Sequence, residues 1–341
     1  MPTIHSAIDV HTHILPPGWE DYGRRFGIAD WPSLAMHDAC NASIMLGTRE
    51  FRKVTDQCYA PARRLVDMDA MRIGRQLISP VPITLCYWGP AEATAAFASM
   101  QNDYIASCVE RYPDRFLGAG TIALQSPRHA IAELERLEKL GLSAIEIGTQ
   151  VNGRDLDDPE YFDVFAAAQA LDIAIFVHPQ EPTLGAERMK DYQLPFLVGY
   201  PADTALAITR LILGGVLERL PRLRLCLAHG GGNFPGALGR LDKGYAVAPA
   251  VRKNISQPPS VYAQRLWFDS ITHDPRYLQL NIERFGSGRV VIGSDYPFVL
   301  GVERPLEQLD GLRLSAADVE NITHRAAEAF LKLPARERTA P

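Results

Sequence analysis

At 341 residues, with 47% hydrophobic and 22% charged residues, the chain suits one large domain or two ordinary ones with ample core. Its formal net charge of -5 leaves no cationic footprint for nucleic acid or an anionic membrane surface. No uninterrupted apolar stretch reaches the ~18 residues of a transmembrane helix, and Met1 to His5 lacks the basic and apolar regions of a signal peptide. The cysteines, Cys40, Cys58, Cys86, Cys108 and Cys226, are widely spread and show neither disulfide nor zinc-knuckle spacing, so a reducing cytoplasm is the expected compartment.

The first apolar run, Ile8 to Val10, reads as a short buried strand and leads into His11-Thr12-His13. Strand side chains alternate faces, so His11 and His13 aim at one point just beyond the strand's end. Two neutral imidazoles on one point are half of a transition-metal site. An irregular stretch follows, about Pro16 to Pro61, long enough to serve as a lid over a site. Within it Thr48 to Gln57 forms the strands of a small hairpin. On spacing alone its Arg49, Arg52 and Lys53 read as a solvated charged face.

From about Ala62 strands and helices alternate. Arg75 to Ser79 is a strand, and Pro90 to Glu110 carries an Ala-rich helical pattern ended by Pro113. Phe116 to Ala123 is the next strand. Ile131, Leu134, Leu137 and Leu140 recur at helical spacing, with Gly141 at the position past the C-cap. Ala144 to Ile147 is the fourth strand, and Asp158-Pro159 opens a helix through Leu171. The fifth strand, Ile173 to Val177, ends at His178. Thr204 to Leu220 is an amphipathic helix. The sixth strand, Leu225 to Ala228, ends at His229, followed by Gly230-Gly231-Gly232. Arg265 to Asp269 and Arg289 to Ser294 are the last strands, the latter followed by Asp295; Ser315 to Leu333 is helical.

Eight strands separated by helices argue for a parallel sheet, and eight is the number that closes a (β/α)₈ TIM barrel, whose sites lie at the C-terminal strand ends. Strands one, five, six and eight place His11, His13, His178, His229 and Asp295 there. Three histidines and an aspartate make a mixed N/O set suited to zinc, with room for water or substrate. His229 is then either a further ligand or an acid/base group held a few ångströms off.

The motifs Asp9-Val-His-Thr-His-Ile-Leu-Pro16, Phe176-Val-His-Pro179, Ala228-His-Gly-Gly-Gly-x-Phe-Pro235 and Gly293-Ser-Asp-Tyr-Pro-Phe298 resemble the amidohydrolase superfamily. The branch they resemble is the decarboxylase group around aminocarboxymuconate semialdehyde decarboxylase. Phe51-Arg52-x-Val54, Tyr87-Trp88, Ile147-Gly-Thr-x-Val-Asn152, Leu197-Val-Gly-x-Pro201 and His273-Asp-Pro275 extend the match from about residue 7 to 301.

This resemblance implies an amidohydrolase-type barrel as one domain over residues 1–335, with a lid at about 16–61, C-terminal helices and a frayed tail at 336–341. It implies one zinc per subunit on His11, His13, His178 and Asp295, no organic cofactor, and His229 as catalytic acid/base. It implies that Arg52, with Arg49 beside it, meets a small-molecule carboxylate, that Phe196 and Phe298 line the substrate site, and that Arg240 reaches the active site of a partner subunit in a homodimer. Guanidinium forks suit a dicarboxylate. The implied reaction is non-oxidative decarboxylation of an unsaturated dicarboxylic acid semialdehyde; an aromatic acid, or hydration or hydrolysis of a ring-cleavage product, is the alternative. Neither a nucleic-acid nor a membrane partner is implied. Gln180, Gln193 and Phe196 stand where tryptophans are usual in the branch, which points to a more polar, roomier pocket. Glu146 on strand four stands where the branch has Gln; the wider superfamily bridges two metals with a carboxylated lysine on that strand, and none is present here, so a second metal is not expected.

Overall fold

A computed structural model describes residues 6–333, so the tail at 336–341 lies outside the described residues. The strands in chain order are β1 (Ile8–Ile14), β2 (Pro32–Met36), β3 (Asn41–Leu46), β4 (Arg49–Thr55), β5 (Arg75–Pro80), β6 (Phe116–Gly120), β7 (Ala144–Ile147), β8 (Gln150–Val151), β9 (Arg154–Asp155), β10 (Ala174–Val177), β11 (Leu225–Leu227), β12 (Trp267–Asp269) and β13 (Val290–Val291). Eight of them form one sheet in the order β1-β5-β6-β7-β10-β11-β12-β13. Parallel bridges Asp9–Ile292 and Thr12–Tyr296 join its two edges into a barrel.

These eight strands fall where the sequence places them, because each is a short, largely apolar run with both faces mostly covered, as parallel strands require. The helices Ala91–Arg111, Pro127–Lys139, Phe162–Ala170, Tyr200–Leu213 and Pro275–Phe285 pack outside it. Their apolar stripes, such as Ala130, Leu134 and Leu137, meet Phe116, Ile145 and Ile175 of the strands.

Three local expectations change. β1 runs on through both histidines to Ile14, because a register shift between Asp9 and Thr12 restores pairing to β5. The expected helix Thr204–Leu220 begins earlier and breaks at Gly214-Gly215 into Tyr200–Leu213 and Val216–Arg219; Gly215 takes φ 80°, which a helix interior excludes. Thr48–Gln57 is not a hairpin by itself: β4 pairs back on β3 across a turn at Gly47 (φ 57°), and β2 adds a third strand. The run 195–213 is long and apolar enough by length and composition to cross a membrane, although Asp203 and Arg210 interrupt it; its Ala207, Ile208, Leu211 and Ile212 are buried in the barrel core.

Candidate metal centre and active site

The C-terminal ends of the strands bring His11 and His13 from β1, His178 after β10 and Asp295 after β13 together. One potential ligand atom from each lies within 4.8 Å of all the others. His11 and His178 turn their rings to His13 with centroids 5.1 and 5.0 Å away.

Each imidazole has one nitrogen committed behind the site. His11 Nδ1 donates to Asp269 Oδ2 at 2.6 Å, His13 Nδ1 to the Pro80 carbonyl at 2.9 Å and His178 Nδ1 to the Pro179 carbonyl at 2.5 Å. Carbonyls and carboxylates only accept, so the proton sits on Nδ1 and the Nε2 lone pair is left facing inward. The Nε2 atoms of His11 and His13 stand 3.2 Å apart, and Asp295 Oδ1 lies 3.4 and 3.2 Å from them. His178 Nε2 and Asp295 Oδ1 are buried with no hydrogen-bond partner. Converging lone pairs with no donor between them are what a divalent cation would satisfy, so the residues fit a metal.

At His178 and Asp295 the electrostatics agree, whereas burial would lower His13 but Glu146 and Asp295 outweigh it and raise the ring above the ordinary histidine range. Burial holds His178 well below the ordinary histidine range, with neighbouring histidines adding to it, so its ring is neutral and able to ligate. Burial would raise Asp295, but His11, His13 and His229 outweigh it and keep the carboxyl ionised. Glu146 lies behind His13, its Oε2 2.5 Å from Ser79 Oγ and 3.5 Å from His13 Nδ1, and burial raises it to about 7.

His229 opens the turn after β11. Its Nε2 is 3.8 Å from Asp295 Oδ2, its Nδ1 is buried without a partner, and its ring lines the cavity. Both His229 (φ 55°) and Asp295 (φ 57°) occupy the left-handed region, which non-glycine residues adopt at a cost. Asp269 holds the first of these turns: its Oδ2 accepts from the His229 amide at 2.9 Å and its Oδ1 from the Gly230 amide at 2.7 Å. One carboxylate thus orients a ligand and fixes the acid/base candidate. Asp269 closes β12 as the other candidates close their strands, and that strand-end place is the signal its sequence carries.

A cavity of about 1550 Å³ opens from this centre. Arg52 of β4 reaches it between aromatic rings: its Cζ is 4.7 Å from the Phe298 centroid and 5.5 Å from those of Phe196 and Phe51. Phe196, Phe298, Gln180 and Gln193 line the same space. Arg49 does not join them. β4 carries a bulge between the Met45–Glu50 and Ile44–Arg52 pairs, and Arg49 sits at the exposed turn end, away from the cavity lining. Arg240 is exposed on the helix Phe234–Val247 and does not line its own chain's cavity. Asp242, its possible local partner, accepts instead from the Ser260 amide at 3.0 Å.

The amidohydrolase family profile matches residues 8–333. The 2-amino-3-carboxymuconate-6-semialdehyde decarboxylase of Dictyostelium discoideum is 39% identical over 331 residues, covering 96% of this chain and 91% of that protein. Its Caenorhabditis elegans counterpart is 28% identical over 380 residues, covering 96% and 94%. Among solved structures, 5-carboxyvanillate decarboxylase from Sphingomonas paucimobilis superposes with a TM-score of 0.83 at 23% identity over 97% of this chain and 100% of that one. A dihydroxybenzoic acid decarboxylase from Polaromonas, solved with manganese and an inhibitor, gives 0.76 at 20% identity over 96% and 97%. With its barrel and these matches, the chain belongs to the amidohydrolase family, in the branch similar to aminocarboxymuconate semialdehyde decarboxylase.

Proposed function

We propose that this protein is a metal-dependent, non-oxidative decarboxylase whose substrate is 2-amino-3-carboxymuconate 6-semialdehyde or a close analogue. The observation that carries the reading is the convergence of His11, His13, His178 and Asp295 at the floor of a cavity that also presents His229 and Arg52. The 39% identity to the Dictyostelium decarboxylase supports the choice of substrate. Residues 1–335 are read as one barrel domain with its lid at 16–61, in a cytoplasmic enzyme whose five cysteines are free thiols.

His11, His13, His178 and Asp295 hold the metal, which we take to be one zinc ion per subunit on the strength of the N/O donor set. A bound divalent ion of this kind polarises a substrate carboxylate or carbonyl and acidifies coordinated water. Arg52 grips a substrate carboxylate, its guanidinium held over the rings of Phe298 and Phe196 so that little freedom is lost on binding. The bond to the departing carboxylate breaks, its electron pair enters the conjugated system, and carbon dioxide leaves. His229 delivers a proton to the vacated carbon. No redox cofactor is needed, because no net oxidation takes place. The aromatic rings of Phe298, Phe196 and Phe51 beside this centre favour dispersal of the carboxylate's charge into the conjugated system as carbon dioxide departs.

The active form is a homodimer in which Arg240 serves the partner's cavity. Two observations support this: Arg240 is exposed on its own chain, and the exposed apolar residues Leu197, Val299 and Leu300 stand at the cavity rim. The test is a panel of unsaturated and aromatic acids offered to metal-loaded protein. Decarboxylation with the highest kcat/KM for the muconate semialdehyde supports the reading. Preference for an aromatic acid moves the substrate, and water addition without carbon dioxide release moves the reaction class to that of a hydratase.

A further inference from the structure

We infer that Arg64 is a positioning residue for the metal centre: with Gln76 and Asp9 it forms a buried brace that ties the ligand pair of β1 to the Ser294-Asp295-Tyr296 segment. The inference rests on the metal reading above. Arg64 projects from the helix Pro61–Met71 and is 0% exposed. Its Nη2 donates to the carbonyl of His13, itself a ligand, and its Nη1 to Gln76 Oε1 at 3.1 Å. Its Cζ lies 4.6 Å from the centroid of the Tyr296 ring, the residue next to Asp295. The same helix holds that ring from its far end, since the Tyr296 hydroxyl donates to Asp67 Oδ2 at 2.7 Å.

Gln76 continues the brace by donating to Asp9 Oδ2 at 3.3 Å. Asp9 then accepts from the Ser294 hydroxyl at 2.5 Å, the Ser294 amide at 3.1 Å and the His11 amide at 3.3 Å. Four residues that are, or adjoin, ligands are thus fixed from behind: His11, His13, Ser294 and Tyr296.

A buried guanidinium is costly, and this one leaves its Nε without a partner. A fold seeking stability alone is served as well by an apolar side chain here, whereas one holding two strand ends at ligand distance needs the fork. Arg224 supplies the comparison. It is also buried and also donates to carbonyls, those of Phe330 and Asp172, but it lies just ahead of β11, at the end of the barrel away from the metal.

The test titrates metal-free protein with Zn²⁺ against a chelating competitor, and with Co²⁺ while recording the visible spectrum. Arg64→Met is expected to bind metal roughly 10- to 100-fold more weakly, the usual loss when a group behind a ligand is removed, with an altered cobalt spectrum. Arg224→Met is expected to lower Tm with both readouts unchanged. Gln76→Leu, which cuts the brace between Arg64 and Asp9, is expected to shift the affinity in the same direction and serves if Arg64→Met does not fold. Wild-type affinity and spectrum in Arg64→Met or Gln76→Leu, or an equal shift in Arg224→Met, overturns the inference. His178→Ala and Asp295→Ala are titrated alongside: if they bind metal normally, the metal reading fails and takes the brace with it. Loss there without loss in Arg64→Met refutes the brace alone.

Discussion

Asp295 carries two demands at once, a left-handed backbone and a buried ionised carboxyl, and both are met by what surrounds it. Asp295→Ala removes a ligand and its charge, so metal content measured by elemental analysis is expected to fall together with turnover. His229→Ala is expected to keep the metal and lose roughly 10²-fold or more in kcat, the scale of general acid–base help; loss of metal in step with activity makes His229 a ligand instead. Arg52→Ala removes a charge-assisted contact worth roughly 1.5–3 kcal/mol, so KM rises by about 10- to 100-fold at unchanged metal content. These residues were legible because strand periodicity and the barrel rule fix where a strand-end side chain points. Asp269 obeys the same rule and was missed for want of a second histidine-like cue beside it. Arg49 differs: its role rested on resemblance alone, and it stands exposed at the turn end of β4, off the cavity lining.

At the scale of elements, the turn after β11 shows how backbone freedom makes the site. Gly230, Gly231 and Gly232 all have positive φ, and a Cβ on Gly232 would strike the backbone of Pro201. Gly232→Ala therefore combines strain of roughly 1–3 kcal/mol with a clash against an unyielding main chain. The expected outcome is a lower Tm together with a fall in kcat, as His229 is displaced. An unchanged Tm contradicts the account of this turn. The glycine triplet was visible in the sequence, but its partner at Pro201 was not, because tertiary contacts leave no periodic trace. The lid behaves likewise: its irregular composition predicted an insertion, while the third strand β2 depends on pairing to β3 that only the folded chain supplies.

For the whole molecule, barrel closure explains why ligands distant in sequence meet. Asp9 and Thr12 of β1 pair with Ile292 and Tyr296 near β13, so the first and last barrel strands stand side by side. The count and order of strands were legible because buried parallel strands are short apolar runs. The assembly is not written in any one chain's contacts, and mixing tests it. Arg240→Ala, weakened in substrate binding, and His229→Ala, weakened in turnover, are combined under conditions of subunit exchange; with shared sites activity rises above that of either variant alone, and proven exchange without recovery assigns Arg240 to its own chain or to no role. Decarboxylation with proton return is followed most directly with substrate labelled with ¹³C at the departing carboxylate, in D₂O, by mass spectrometry. One equivalent of labelled carbon dioxide and one deuteron at the vacated carbon are expected for each turnover, both lost on metal removal. Label retained in a product heavier by one molecule of solvent water would contradict it.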